Sequence, residues 1–266
     1  IKTDKLGLTL RGGQYRRLSA NGSYPVNQAE FNSGNYTGDI ASFSGLGDSK
    51  QQNVGLRLAL TPNRNHDILF DVDSNWQTYD NANGELGTLN TSIAPNRQGG
   101  GYDPEMKFNR QRYALTHLGR YSGSISSDTS LVYDTTETIG RTNPMNSPRR
   151  PSDGAKRDLE YDNWVFDTKW TMPLLNDRHN LTMGGQWREQ QFKDTLVSAP
   201  LDQRQYQWAL FAEDEWRIVD DLALTAGARY DRNEQFGGKW SPRGYLVWNA
   251  TPVSYTHLRA HETRGN

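Results

Sequence analysis

The residues best suited to bind a ligand are arginines that cluster at or beside long irregular connections. A guanidinium is permanently charged, planar and rich in hydrogen-bond donors, so it suits ligands that are anionic and aromatic. The alternative is a set of solvated loop cations without a ligand. The candidate ligand-binding residues are Arg97, Tyr102, Arg110, Arg112, Arg141, Arg149, Arg150 and Arg157.

The carboxylates do not form a recognisable catalytic arrangement. Glu213 and Glu215 share one face of an alternating stretch, whereas Asp214 points to the other face. No histidine or second acid in a matching context suggests a general acid–base pair. The chain has no cysteine, no nucleotide-binding glycine motif and no G-x-S-x-G nucleophile turn. The sequence therefore predicts no enzymatic activity.

Two patterns could bind a metal ion, and both are weak. Asp71, Asp73 and Asn75 mimic the start of a calcium-binding loop, but Trp76 stands where that loop needs glycine. His257 and a second histidine four residues later lie in a C-terminal stretch of unusual composition. We predict neither a metal site nor a bound cofactor.

The composition fits neither a soluble globule nor a disordered chain. Hydrophobic residues make up 34% of 266 residues, and the mean hydropathy is −0.88, which is low for a packed core. Aromatic residues nevertheless reach 11%, which argues against disorder. The net charge of −1 gives no reason to expect nucleic acid as a partner. No run approaches the roughly 18 apolar residues that a membrane-spanning helix requires.

Apolar and polar residues alternate with a period of two along most of the chain, which is typical of strands with two different faces. The residues predicted to share the apolar face are Leu56, Leu58, Phe70, Trp164, Trp170, Leu181, Trp208, Leu210, Leu224 and Tyr230. Those predicted to share the polar face are Arg57, Asp71, Asp167, Arg188, Arg229 and Asp231. Residues 240–250 are a weaker strand candidate, because Pro242 cannot donate a hydrogen bond to a neighbouring strand.

Short and long connections also alternate. The short ones are predicted near 62–66, 122–128, 173–179 and 218–221. The long ones are predicted near 20–50, 80–107, 143–160 and 194–204, with a shorter fifth around 234–240. A soluble β-sandwich has no reason to keep this order, whereas an outer-membrane barrel has short turns at one end and long loops at the other.

The spacing of tryptophans supports the barrel. Trp208 and Trp216 share a face and are eight residues apart, or about 26 Å along a strand. With a tilt of about 40° this spans roughly 20 Å of the membrane normal, close to the apolar band of a barrel. Lipid would then cover the apolar face and the wet lumen would solvate the polar face. We therefore predict an all-β chain of about ten antiparallel strands in one meander, a partial transmembrane β-barrel whose free edges are the strands near 5–17 and 240–250.

Several blocks resemble TonB-dependent outer-membrane receptors of the ferric-catecholate siderophore branch, and within it the colicin I receptor group. The blocks are WALFAEDEWRIVDDLALTAGARYDRNEQFGGKWSPRGYLVWN (208–249), WQTYDNANGELGTL (76–89), YALTHLGRYSG (113–123) and YDTTETIGR (133–141). The resemblance implies a 22-stranded barrel in a Gram-negative outer membrane, with an N-terminal plug that this chain lacks. It implies uptake of a ferric catecholate siderophore, with the loop arginines as ligand contacts.

The implied partners are the siderophore, outer-membrane lipid and lipopolysaccharide, a colicin or phage, and the TonB complex through the missing plug. A passive porin-type barrel and a soluble all-β carbohydrate-binding module remain the alternatives. Residues 1–252 form the predicted barrel segment. Residues 253–266 resemble translated sequencing-adapter sequence, and we interpret them as a non-native tail.

Overall fold

The structure, a computed structural model, describes residues 4–18, 21–25, 40–44, 48–80, 102–141, 156–195, 201–251 and 254–259. Regular structure in these segments is entirely β-strand apart from the short 3-10 turn Ser122–Ser124, and no described helix is long and apolar enough to cross a membrane. The strands are β1 (Leu6–Arg17), β2 (Asn21–Pro25), β3 (Ile40–Ser44), β4 (Ser49–Asn63), β5 (His66–Asp80), β6 (Tyr102–Arg120), β7 (Ser126–Arg141), β8 (Leu159–Leu174), β9 (His179–Asp194), β10 (Leu201–Val219), β11 (Leu222–Asn233), β12 (Gly237–Thr251) and β13 (Ser254–Arg259).

Eleven strands form one antiparallel sheet in the order β1-β4-β5-β6-β7-β8-β9-β10-β11-β12-β13. Each strand pairs with its neighbours along the chain, except that β2 and β3 form a separate hairpin between β1 and β4. Within the described segments β1 and β13 are the two edges, so the sheet is a meander that does not close on itself. The predicted all-β meander is confirmed.

Two details of the prediction are wrong. The second edge is β13 rather than the strand near 240–250, because Ser254–Arg259 pairs with the end of β12. The connection predicted at 194–204 is only 195–200, because the start of β10 extends the ladder with the end of β9. Pro242 does not interrupt β12. It is in register with Ala228 and lies beyond the part of β12 that pairs with β13.

The cross-strand register divides the sheet into two faces. We call the face that carries Leu58, Phe70 and Trp208 the apolar face, and the face that carries Arg57, Asp71 and Arg229 the polar face. Cross-strand partners always share a face, and consecutive residues of a strand alternate between faces. Followed from strand to strand, the register places all ten predicted apolar residues on the first face and all six predicted polar residues on the second.

Burial is inverted relative to a water-soluble protein. Leu10, Leu210 and Trp240, on the apolar face, are 71%, 60% and 66% exposed. On the polar face, by contrast, Asp71 and Thr225 are 7% and 3% exposed. A large exposed apolar surface is tolerated where lipid covers it, and neighbouring side chains and water solvate the polar face. This distribution is that of a barrel wall.

Two lines of aromatic side chains border the apolar face. The line near the long connections, which we call the outer girdle, has one member on each of strands β5 to β12. Its members are Trp76, Tyr113, Tyr133, Trp164, Trp187, Trp208, Tyr230 and Trp240. Trp216 and Trp248 lie near the other end of the same face, each eight residues from the outer-girdle tryptophan of its own strand. That spacing, about 26 Å along a strand, matches the apolar band of a tilted transmembrane strand.

Candidate functional site

Arginine–carboxylate pairs cross the polar face, either between neighbouring strands or over one intervening strand. Arg57 on β4 donates to Asp71 on β5 with an Nε–Oδ1 distance of 2.7 Å. Arg11 on β1 contacts Asp73, two residues further along β5, with an Nη2–Oδ1 distance of 2.5 Å. Farther along the sheet, Arg243 on β12 contacts Glu213 on β10. The period of two in the sequence produces this ladder, because it brings every second side chain to the same wall.

A cavity of about 580 Å³ opens on this wall near the outer girdle. Register explains why its residues converge: Asn53, Asn75 and Arg110 are cross-strand partners, and so are Asp73 and Arg112. Because all five belong to adjacent long strands, their backbone positions are fixed by the ladder rather than by a loop. The lining residues are Asn53, Val54, Asp73, Ser74, Asn75, Arg110 and Arg112.

Two of the predicted ligand-binding arginines lie in this cavity and share one carboxylate. Arg110 Nη2 is 3.1 Å from Asp134 Oδ1, and Arg112 Nε is 3.8 Å from the same oxygen. The side chain of Asp134 is 16% exposed, whereas those of Arg110 and Arg112 are 62% and 45% exposed. The carboxylate is therefore covered, and much of each guanidinium remains accessible from the lumen.

The charges around the cavity do not cancel. Arg11, Arg110 and Arg112 supply three positive charges, and Asp73 and Asp134 supply two negative ones. The surplus positive charge and the uncovered guanidinium planes suit an anion with flat aromatic groups. The asparagine amides add neutral hydrogen-bonding groups beside them.

Arg157 has a different environment from the two cavity arginines. Its Nε donates to Asp194 Oδ1 at 2.8 Å, and its Nη2 contacts the other carboxylate oxygen. The Asp194 side chain is 8% exposed. The hydrogen bond to Asp194 raises the pKa of Arg157 above its ordinary value, although partial burial opposes this effect. The fork joins the segment before β8 to the end of β9 and engages the Nε and Nη2 donors of Arg157.

The remaining candidates fall into two groups. Arg141 ends β7, its backbone pairs with Tyr102, and its carbonyl accepts a hydrogen bond of 2.8 Å from the Arg157 amide. The backbones of these three residues thus converge at one end of the sheet. The other predicted residues, Arg97, Arg149 and Arg150, lie outside the described residues.

Sequence reasoning missed the carboxylates that hold the arginines. Asp73 stood out only as part of a calcium-loop-like pattern, and nothing in the sequence links it to Arg11, which is 62 positions away. Asp134 follows the aromatic Tyr133 in a strand whose alternation of apolar and polar residues is irregular. Only the strand register reveals that it lies between Arg110 and Arg112. Asp71 and Asp73, which share the calcium-loop-like spacing, each contact an arginine.

Residues 2–260 match the family model described as TonB dependent receptor-like, beta-barrel. The chain belongs to this family. Its members are outer-membrane proteins of Gram-negative bacteria, which agrees with the exposed apolar face and its girdles. The family thereby decides against a soluble carbohydrate-binding module and against a passive porin.

Two similar proteins have names that refer to iron or to ferrienterobactin. The iron-regulated outer membrane virulence protein of Vibrio cholerae serotype O1 is 26% identical over 212 residues, which are 79% of this chain and 29% of that protein. The ferrienterobactin receptor of Escherichia coli K12 is 24% identical over 170 residues, covering 53% of this chain and 22% of that protein.

A solved structure of a mutant ferric enterobactin receptor from Pseudomonas aeruginosa has the same fold, with a TM-score of 0.66 and 20% identity. It covers 94% of this chain, and this chain covers 38% of it. The chain therefore spans less than two fifths of the length of these relatives. Outer-membrane barrels generally have short periplasmic turns and long external loops. The cavity around Arg110 lies toward the end of the sheet that carries the long connections.

Proposed function

We propose that this chain forms part of the barrel wall of a receptor that imports ferric siderophores of the catecholate type. The observation that carries the proposal is the accessible pair Arg110 and Arg112 on the lumenal wall, held by one covered carboxylate. A ferric tris-catecholate complex is anionic and presents flat aromatic rings. Guanidiniums offer such a complex charge, planar stacking surfaces and forked donors at once.

The names of the relatives favour the same ligand class. One is called a ferrienterobactin receptor and another an iron-regulated outer membrane protein. Because the chain spans only a part of these proteins, the proposal includes further strands and a plug that engages TonB. It also includes the assignment of residues 253–266 as a tail that contributes nothing to uptake. The similarity to the colicin I receptor group makes a colicin or phage a further proposed ligand of the external face.

The external arginines would attract the ligand before it reaches the cavity. Arg97, Arg141, Arg149 and Arg150 lie in or beside the connections 81–101 and 142–158, at the end where the ligand arrives. Their charges would attract the anionic complex over a distance of about one Debye length, roughly 8 Å at physiological salt. Arg110 and Arg112 would then contact it at the wall.

The test uses the complete receptor that carries this chain and measures quenching of its intrinsic fluorescence by a ferric tris-catecholate siderophore. We expect the double variant Arg110→Ala/Arg112→Ala to bind at least about tenfold more weakly, because two charge-assisted contacts are lost. The double Lys variant keeps charge but loses planar stacking, so it should fall between the two. Arg64→Ala, in the short turn at the opposite end, is the matched control and should bind as wild type.

A second set of variants separates long-range electrostatic attraction of the ligand from direct contact with it. Replacing Arg141, Arg149 and Arg150 with Ala should slow association at low salt, and the difference from wild type should shrink as salt is raised. Wild-type affinity for the ferric complex in both sets of variants would overturn the proposed ligand site.

A further inference from the structure

His66 on β5 and His117 on β6 meet at hydrogen-bond distance on the apolar face. His66 Nδ1 lies 3.0 Å from His117 Nε2, and the two rings have centroids 5.2 Å apart and an interplanar angle of 21°. Ile68 is the apolar-face residue of β5 next to His66, and it is the cross-strand partner of His117. Both histidines are half-buried. Two imidazole nitrogens this close to each other offer two ligands to one metal ion.

The separation of the two nitrogens fits neighbouring corners of a square-planar metal ion. Imidazole nitrogens bind a transition metal at about 2.0–2.1 Å. With a right angle at the metal, two such nitrogens are about 2.9 Å apart, whereas a tetrahedral angle separates them by about 3.3 Å. The observed distance of 3.0 Å matches the right-angled arrangement more closely. Tetragonal geometry is typical of Cu²⁺ and Ni²⁺, and Cu²⁺ binds most tightly in the divalent series.

A metal ion can replace the hydrogen bond of this pair without a change of backbone. In the metal-free pair one of the two facing nitrogens carries a proton and the other accepts it. Moving that proton to the far nitrogen of its own ring frees both facing lone pairs, and both rings stay neutral. Rotation of the two side chains then directs both lone pairs at the same ion.

Neighbouring aromatic rings hold the histidine pair in place. The Tyr121 ring meets His66 edge-on with centroids 5.7 Å apart, and it stacks on Trp170 at 5.4 Å. The Tyr121 hydroxyl covers Gly119, which is the residue directly opposite His66. Tyr121 therefore supports the His66 ring on this side, while the other side of the ring faces His117. Ligands that are already held in position lose less conformational entropy when the metal binds.

The pair lies where water and ions reach the apolar face. Trp170 is on the apolar face of β8, toward the end opposite the outer-girdle residue Trp164, so the cluster lies near the short connections. Aromatic residues at that height mark the boundary of the hydrocarbon region, beyond which the layer is polar and hydrated. The described residues contain no group of three or more His, Cys, Asp or Glu that could hold a metal ion. Water would therefore complete the coordination.

We propose that His66 and His117 form a two-histidine site for a divalent transition metal, with Cu²⁺ bound most tightly. Local sequence spacing predicted no metal site. The two histidines are 51 positions apart, and only the register of β5 and β6 brings them together. The site is independent of the proposed siderophore uptake, because it lies on the apolar face and near the opposite end of β6 from Arg110.

The experiment titrates the complete receptor in detergent with Cu²⁺ and records electron paramagnetic resonance spectra. We expect wild type to bind an ion whose spectrum is split by two nitrogens. His66→Gln and His117→Gln should each weaken this binding at least about tenfold, because a single imidazole cannot chelate. Either variant breaks the pair, so one suffices if the other does not fold. His179→Gln is the matched control, because His179 is bonded to Asp214 at 2.6 Å, and this variant should bind Cu²⁺ as wild type.

Two further arms decide the kind of site and keep the two proposals apart. Excess Mg²⁺, which prefers oxygen ligands, should leave the bound Cu²⁺ in place, and displacement by Mg²⁺ would contradict ligation by imidazole. Unchanged Cu²⁺ binding in both His66→Gln and His117→Gln would overturn the proposal and leave the pair as a hydrogen bond only. Quenching by the ferric siderophore should be the same in these variants and wild type, so each proposal fails or stands on its own measurement.

Discussion

Ala212 and Glu213 are consecutive residues of β10 with opposite surroundings. Ala212 is exposed on the apolar face, in register with Met183 and Ala228 and four residues from both Trp208 and Trp216. Glu213 lies on the polar face against Arg243, and its side chain is 19% exposed. The membrane midplane therefore passes near Ala212, and one step along the chain leads from lipid to lumen.

The first prediction follows from this position. Ala212→Arg places a charge at the bilayer centre and should lower the free energy of unfolding by about 2–4 kcal/mol. Ala59→Arg is the matched control, because Ala59 lies on the polar face of β4 and should cost less than about 1 kcal/mol. The measurement is urea-induced unfolding of the complete receptor in lipid vesicles, followed by tryptophan fluorescence. Equal losses would contradict the assignment of the faces.

The second prediction concerns the outer girdle. Tyr133 stacks on Trp164 with ring centroids 4.5 Å apart, and its hydroxyl donates to Asp162 Oδ1 at 2.7 Å. Tyr133→Phe keeps the ring but leaves a charged acceptor without this donor, so it should cost about 1.5–3 kcal/mol. Tyr113→Phe removes a hydroxyl that donates at 3.0 Å to the neutral Gln111, and should cost about 0.5–1.5 kcal/mol.

Chemical unfolding of both girdle variants in the same vesicles provides the comparison. If Tyr113→Phe proves the more damaging change, the hydrogen bond to the Asp162 carboxylate does not contribute the larger stabilisation expected of a charged acceptor.

The third prediction concerns the fork between Arg157 and Asp194. Arg157→Gln leaves the covered Asp194 carboxylate with fewer donors and should destabilise the receptor by about 2 kcal/mol. Lys156→Gln, next to it and exposed, should change the free energy of unfolding by less than about 0.5 kcal/mol. A double-mutant cycle with Asp194→Asn should give a coupling energy of about 1–3 kcal/mol. Strict additivity of the two changes would show that the pair does not interact in the membrane-embedded protein.

The fourth prediction compares two glycines with positive φ. Gly140 has φ of 98°, and a Cβ there would lie 3.1 Å from Met106 Cα and strike the Glu105 carbonyl. Gly123 has φ of 70°, and a Cβ there would meet nothing within 4 Å. Both Ala variants incur the left-handed backbone cost of about 1–2 kcal/mol, and only Gly140→Ala adds a collision with backbone.

Gly140→Ala should therefore be the less stable of the two glycine variants in thermal unfolding monitored by circular dichroism. The bulge between β6 and β7, where the register shifts between Tyr102 and Lys107, should be the part that rearranges. Identical melting temperatures would mean that this bulge adapts without cost.

The sequence by itself determined the two faces. Leu58 faces lipid and Arg57 faces the lumen because side chains alternate between the two faces of a strand with a period of two residues. This alternation is a local property of an extended backbone. The antiparallel meander followed from short connections that cannot cross a sheet, and the girdle followed from the spacing of Trp208 and Trp216. These inferences needed no knowledge of which strand lies beside which.

The tertiary structure decided which charged side chains pair with each other. Asp134 contacts both Arg110 and Arg112, and Asp73 contacts Arg11, because strand register brings together positions far apart in the chain. That register depends on the exact residue at which each turn begins and ends, as at 195–200, where β10 starts earlier than its pattern indicates. A shift of one residue would exchange the faces of a whole strand, so the ion pairs and the cavity exist only once all the turns are fixed.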